Sequence, residues 1–588
     1  MGAWGLLPFA LPAVAFVAAR LGAIVFADGR ASDRAVGGVT LALALVVASV
    51  RVLGAVHLLY PAALGAALVL VTSGLALYRR GARFEFPWRE MVAKETAPLL
   101  LVVAAAMGVA VLAARWLPVW QWDALGYHLP YVDFALVAHG LRGVPDDIPY
   151  ISTYPHDVEL CVIALRAMLP DDRLVDLAQL PFGIAGAIGG AGIARVAGAA
   201  RPHAVAAGAA WLVVPAVFLQ LPSDYVDVAS AAFLLLAVYF LVVPPTVRSL
   251  LLAGVALGLY LGSKPNSPVP TALLCGVILV RGIRGKLGAV AGGAVLLVLV
   301  LGGEAFFVNF ARHGNPIWPI QLTLGPIHLP GTTPMGQLLE SGAAAPRVHG
   351  PLLSRVVRSW TSLTSAPVFD MRIGGMGPLF LASLPFAAVT LARWRSGAAW
   401  AAAAAAIASP DPAVARYVIA FPALVLALAS ARLPSVGLRA RVVIGVGAAI
   451  AGAWQLAYAY PGLAGEGPPL AAYAHMSEDE RAGAVGANGP PTQMIAARKL
   501  VRPGETLAFD VTFDLPYLGW TSDLAYPVVY VPDTLSSSDV GGWLDREKVR
   551  ILAVADHGPA GEWARLHPEQ FELLFPCRSV PCAVYLRR

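Results

Sequence analysis

Apolar and polar positions alternate in long blocks over the first 460 residues of this chain. Apolar runs cover 6–26, 35–56, 62–77, 97–117, 174–196, 204–221, 228–243, 250–261, 268–280, 287–308, 376–391, 400–407, 417–428 and 442–460. A helix crosses a bilayer with about 17–25 apolar residues, and shorter runs fit broken or tilted spans. The pattern therefore predicts about fourteen transmembrane helices. Two longer polar stretches, 118–172 and 309–375, interrupt it. Within the first, 129–139 reads as a helix lying along the membrane interface, with Phe134, Leu136 and Val137 on its apolar side. The run 158–169 is too short to span and reads as a second interfacial or re-entrant helix. From about 461 the period changes. MIAARKLVRPGETLAFD reads as helix then strand, AYPVVYV and VRILAVAD as strands, and FELLFPCRSVPCAVYLRR as a closing hairpin. The expected fold is an α-helical polytopic membrane protein: residues 1–96 form N-terminal spans and a cytoplasmic loop, 97–460 the main helical region, and 461–588 a small extracytoplasmic α/β domain.

Composition agrees with the pattern. Of 588 residues, 58% are hydrophobic and 13% charged, against about 25% charged in soluble domains. The net charge of +6 does not point to nucleic acid, because the cations sit between the apolar runs. Arg79, Arg80, Arg83, Arg89 and Lys94 crowd one loop, which marks it as cytoplasmic. The run 97–117 then leads outward and delivers 118–172 to the far side. Later cations, such as Arg281, Arg284 and Lys286, fall on the inner side by the same alternation. The expected location is the inner (plasma) membrane, crossed many times, with the candidate site and the C-terminal domain outside. No basic stretch precedes 6–26, so it reads as a first helix rather than a cleavable signal. Cys577 and Cys582 are close enough in sequence to pair in an oxidising compartment; two free thiols are equally open.

Candidate chemistry gathers at outer helix ends. In WQWDALGYHLPYVDFALVAHG, residues 120–140, Asp123 follows the 97–117 run and sits among aromatics, with Tyr127 and His128 one turn on. It reads either as part of an interfacial loop anchored by aromatic rings or as a general base tuned by burial. Asp224 and Asp227 in SDYVDVA open an apolar helix, as caps favoured by its dipole or as a second acidic cluster. Lys264 in GSKPN lies in an irregular break at a span's end, snorkelling to water or holding a lipid phosphate. Arg416 in ARY is an interface anchor or a bidentate phosphate grip. Arg372, in FDMRIGGMGP, is a looser candidate for the same headgroup. Glu304 lies inside an apolar run, where an ionisable group is a functional hypothesis by default; Lys264 or Arg416 is its expected partner.

These motifs, in this order, resemble those of the C-type (GT-C) membrane glycosyltransferases, which include protein O-mannosyltransferases and the lipid A aminoarabinose transferase. D-A-L-x-Y-H resembles their first outer loop, SDYVDVA their second motif, GSK their sugar-lipid pattern and ARY their late motif. The resemblance implies a GT-C-like region at 97–460 and an Asp at position 123 facing a lipid-linked sugar. The sequence departs from the mannosyltransferases in one respect: Asp123 is followed by Ala124, not Glu. Whether a second carboxylate or a divalent metal takes part is thus open, and no cofactor is assigned.

What is missing also bears on function. The chain has no phosphate-binding G-x-x-x-x-G-K-[ST], no dinucleotide glycine fingerprint, and no paired His or Cys at zinc spacing. It has no cytoplasmic domain large enough for a nucleotide sugar. An outward-facing enzyme without one needs a donor delivered by the membrane, and a polyprenyl-phosphate sugar fits. The expectation is an inverting glycosyltransferase. Asp123 takes the proton of a lipid, glycan or protein acceptor, and Lys264 and Arg416 steady the phosphate. Asp123, Asp224, Lys264 and Arg416 are expected in one cavity. A lipid-linked sugar or polysaccharide translocator without chemistry is the alternative, and an assembly protein a third reading.

Overall fold

The structure, a computed structural model, describes residues 5–78, 90–146, 148–336, 348–363, 373–394, 396–465, 467–485, 492–577 and 582–588. The N-terminal helices are α1 (Leu7–Val25), α2 (Ala31–Ala55), α3 (Pro61–Leu77) and α4 (Ala97–Trp116). Then come α5 (Leu129–Val137), α6 (Asp157–Arg166), α7 (Gln179–Val196), α8 (Arg201–Trp211), the single turn α9 (Pro215–Phe218), α10 (Asp227–Val242) and α11 (Val247–Leu261). The series continues with α12 (Pro268–Arg284), α13 (Gly288–Gly302), α14 (Glu304–His313), α15 (Leu352–Thr361), α16 (Gly377–Trp394), α17 (Gly397–Ile407), α18 (Ala420–Ser430) and α19 (Leu438–Ala459).

The chain is a polytopic membrane protein. Among the described residues six helices are long and apolar enough to cross a membrane, and a seventh if α13 and α14 count as one span bent by 68°. Several other expected spans are shorter apolar helices, among them α3, α10, α11 and α17. The run 204–221 is split, because Pro215 lacks the N–H to continue α8 and instead starts α9.

Helix α10 is the hub. It is apolar on every side, and every residue from Asp227 to Leu241 is buried by α2, α7, α11, α17 and α18. Helix α3 is equally apolar, yet Leu64 is its one buried residue; its surface faces lipid. Hydropathy does not separate these cases, since an all-round apolar helix suits either setting. Small residues allow the closest approach. A Cβ on Gly254 of α11 would stand 2.5 Å from the Ala294 carbonyl oxygen of α13, so these backbones touch in the manner of small-residue membrane contacts.

Beyond α19 lies a five-stranded sheet with strand order β5-β4-β6-β8-β7: β4 (Thr506–Phe509), β5 (Val528–Tyr530), β6 (Val549–Ala555), β7 (Phe571–Pro576) and β8 (Cys582–Arg587). Strands β4, β5 and β6 run parallel, and β8 is antiparallel to β6 and β7. A smaller sheet, β2-β1-β3, precedes it in the chain (Ile320–Leu324, Ile327–Leu329, Thr333–Pro334). Cys577 and Cys582 are disulfide-bonded, which closes the alternative left open by sequence.

The C-terminal sheet packs onto the 118–172 segment, and this corrects two expectations. Helix α5 does not lie on the lipid surface. All of Leu129–Leu136 is buried, and Phe134 meets Trp520 edge-to-face at 4.9 Å and Phe509 at 6.2 Å. Helix α6 is likewise enclosed, against α2 and α5, rather than re-entrant. The apolar face of α5 is covered by protein that comes 370 or more residues later in the chain.

Candidate active site

Asp123 stands just past α4, at the head of a five-residue π-helical turn, Ala124–His128, closed by the Leu129 N–H donating to the Ala124 carbonyl. Its carboxylate makes no capping bond to that turn. It accepts instead from Arg416 Nη1 at 2.9 Å, while its own N–H donates to the Tyr225 hydroxyl at 3.3 Å. Such wide turns are frequent at functional sites, and here the Tyr127 and His128 rings lie 4.2 Å apart. His128 is buried, with Nδ1 2.6 Å from Glu159 Oε1. Burial works against the Glu159 carboxylate, but its bonds to His128 and His156 prevail and hold it down at about 2. His128 thus ties the turn to α6. Tyr127 lies among aromatic rings, 5.5 Å from Tyr154 and 6.1 Å from Tyr150.

Arg416 sits in a 3₁₀ turn, Ala415–Val418, just before α18. Its guanidinium lies between the rings of Tyr225 and Tyr417, 5.0 Å from each centroid, a cation–π setting that fixes its plane. The same Nη1 that meets Asp123 is 3.6 Å from Asp227 Oδ2. Asp227, the first residue of α10, accepts from Lys264 Nζ at 2.5 Å, and Lys264 in turn lies 5.1 Å from the Tyr417 ring. Lys264 occupies a break after α11 whose polar groups are satisfied locally. Ser263 Oγ donates to the Ser230 hydroxyl and Ser267 Oγ to the Leu261 and Lys264 carbonyls. Irregular backbone at this depth needs such partners.

Two carboxylates and two cations therefore meet, from four separate segments, with no net charge. Asp227, Lys264 and Arg416 line a small cleft with Leu234, Tyr260 and the alanines of α17 and α18, and Asp123 joins them through Arg416. Side-chain exposure grades across the cluster: 2% for Asp227, 7% for Arg416, 15% for Lys264 and 16% for Asp123. Burial pushes the Asp123 carboxyl up, but Arg416, His128 and Lys264 outweigh it and hold the group below the usual carboxylate range. The arrangement can present cations to an anion and a carboxylate to a proton.

Asp224, expected in the same cavity, lies elsewhere. It is 1% exposed and faces Asp176, near buried Asp133 and Arg166 and half-buried Asp172. Two residues separate it from Asp227, but one stands before α10 and the other within its first turn, so they face different neighbours. Glu304 needs a second correction. Gly303 bends the chain, α14 leaves the bundle, and the Glu304 side chain is 64% exposed. Its partner is Arg51 of α2, which also holds Asp157 at 2.6 Å. Neither Lys264 nor Arg416 pairs with it among the described residues. Arg372 lies outside the described residues, as do Arg79, Arg80, Arg83 and Arg89.

Sequence reasoning missed Tyr225 and Tyr417, the rings around Arg416, and also Arg51, Arg166 and Glu159. Arg51 carried a usable signal, a cation within the apolar run 35–56. The C-terminal domain was also missed as part of the site's frame. Trp122 Nε1 donates to Asp514 Oδ2 at 3.3 Å, Arg166 Nη2 to the Ser522 carbonyl at 2.5 Å, and the Tyr517 hydroxyl to Asp172 at 2.9 Å. Among the described residues no three His, Cys, Asp or Glu side chains gather as a metal site.

The chain is similar in outline to several solved structures. One is ArnT from Cupriavidus metallidurans bound to undecaprenyl phosphate, at 15% identity, covering 83% of this chain and 98% of that one, with a TM-score of 0.49. Another is the oligosaccharyltransferase AglB from Archaeoglobus fulgidus in complex with an inhibitory peptide and a dolichol-phosphate. It has 15% identity, covers 80% of this chain and 72% of that one, and has a TM-score of 0.40. No protein-family model and no curated protein matches the chain.

Proposed function

We propose that the protein is an integral-membrane glycosyltransferase that moves a sugar from a polyprenyl-phosphate carrier to an acceptor on the extracytoplasmic side. The observation that carries this reading is the contact among Asp123, Asp227, Lys264 and Arg416. Lys264 with Arg416 takes the lipid's phosphate. In the free site Arg416 is occupied by Asp123, which makes Asp123 a weak base. A bound phosphate competes for the guanidinium, loosens that pair and raises the basicity of Asp123 where it is needed.

The acceptor hydroxyl then gives its proton to Asp123 as its oxygen bonds to the anomeric carbon. The bond from that carbon to the phosphate oxygen breaks, and its electron pair leaves on the lipid phosphate, where the two cations stabilise the growing charge. One displacement inverts the anomeric centre. Asp227 keeps Lys264 and Arg416 aligned. Reconstitution with a labelled lipid-linked sugar tests this. Wild type is expected to release polyprenyl phosphate and give product of inverted configuration, and Asp123→Asn to lose about 10²–10⁴-fold in turnover. Transport of labelled lipid without release would make the protein a translocator, and near-normal turnover of Asp123→Asn would remove the base.

A further inference from the structure

Asp123 adjoins a run of aromatic side chains. Trp122 meets Tyr127 edge-to-face with centroids 6.3 Å apart, and Tyr127 leads on to Tyr150 at 6.1 Å. Tyr150 is held deliberately. Its backbone is left-handed at φ 68°, a conformation that non-glycine residues rarely adopt. Its N–H donates to Thr153 Oγ1 at 3.1 Å, and its hydroxyl pairs with Thr333 Oγ1 at 2.8 Å.

Trp122 is the outlier in this buried neighbourhood. It is 48% exposed, directly beside the most open member of the charged cluster. A tryptophan at a membrane surface ordinarily anchors depth, its N–H turned to headgroups. Here the N–H is turned to Asp514 of the C-terminal domain, so the ring stands between two layers of protein. The bond holds the polar edge and leaves indole surface open. An exposed, oriented indole next to two carboxylates matches one ligand class well. A pyranose has a face of C–H bonds that lies on the negative π face, and hydroxyls around its rim that bond to carboxylates.

We propose that the acceptor is a carbohydrate, one of whose pyranose units stacks on Trp122 at the mouth between the 118–172 segment and the C-terminal domain. Tyr127 packs edge-to-face against the indole, and Asp514 orients it. The stacked sugar presents a hydroxyl to Asp123. This rests on the transferase reading for its meaning, but the binding itself needs no turnover.

The test uses full-length protein in nanodiscs and ligand-observed saturation-transfer NMR, without donor. The probes are α- and β-linked disaccharides of glucose, galactose and mannose, with a Ser/Thr-containing peptide alongside. Saccharide C–H signals are expected with wild type. Trp122→Ala is expected to weaken them about tenfold, the scale of one aromatic contact, and Trp122→Phe to restore most of the loss. Thermal unfolding of each variant reports whether it is folded. Absence of saccharide signals in wild type, equal signals in Trp122→Ala, or signals from the peptide alone would each overturn the proposal. Trp122-dependent saccharide binding in a protein that never releases polyprenyl phosphate would instead keep the platform and sink the transferase.

Discussion

Two buried clusters of carboxylates lie near each other in this molecule and behave in opposite ways. Around Arg416, two carboxylates face two cations and the group opens to a cleft. Around Arg166, the carboxylates of Asp133, Asp172, Asp176 and Asp224 face one cation, and the group is sealed under the C-terminal domain. Burial penalises charge in both. In the first, opposite charges outweigh the penalty and Asp123 is held below its ordinary range. In the second, burial dominates, Arg166 only partly opposes it, and Asp133 is pushed up to about 7. Asp224 is raised for the same leading reason. Charge balance, rather than depth, separates a carboxylate held ionised from one that burial drives toward its neutral form.

The largest way to break this comparison is to unbalance the first cluster. Arg416→Ala removes the grip on phosphate and the partner of Asp123 together. Turnover is expected to fall about 10²–10³-fold, as when an electrostatic donor is lost from a transition state. The acidic limb of the kcat/KM profile should also move to higher pH, because Asp123 loses the cation that held it down. An unmoved limb would detach Asp123 from the pH dependence. Arg416→Lys is expected to lose less in rate and to shift the limb less.

The second cluster responds in stability. Between about pH 4, where an unfolded Asp titrates, and about pH 7, the folded protein keeps a proton on Asp133 that the unfolded chain has released. Its contribution therefore weakens as pH rises through that window. Thermal unfolding at pH 5 and pH 8 is expected to show a smaller drop for Asp133→Asn than for wild type. A steeper drop in the variant would mean that Asp133 is ionised when folded. The smallest effect belongs to Glu304→Gln. Its carboxylate is largely exposed and pairs at the surface, so stability should change by less than about 1 kcal/mol, and turnover by less than about twofold on the same grounds. A large loss of turnover would return Glu304 to the site.

How much of this was legible in the sequence follows from range. The apolar helices and the α/β tail came from local periodicity. So did the candidacy of Asp123, Lys264 and Arg416, each next to aromatic, Gly or Pro neighbours that mark a built turn. Asp224 was misplaced because its role depends on which way a loop turns before α10, and its residue type is the same for either direction. Glu304 was misplaced because hydropathy reads through Gly303, where the chain bends by 68°. Helix α5 was misread for a different reason: an apolar stripe records that something covers it, without recording whether lipid or protein does.

The bond between Trp122 and Asp514 joins positions 392 residues apart, and that separation has a timetable. A ribosome finishes the segment bearing Asp123 long before it makes the strands that cover Phe134 and accept from Arg166. Until then the apolar stripe of α5 lacks the cover of Trp520, and the Trp122 indole lacks its partner. A product that stops short of residue 510 would hold every charged member of the cluster around Arg416 and still lack the residues that fix Trp122.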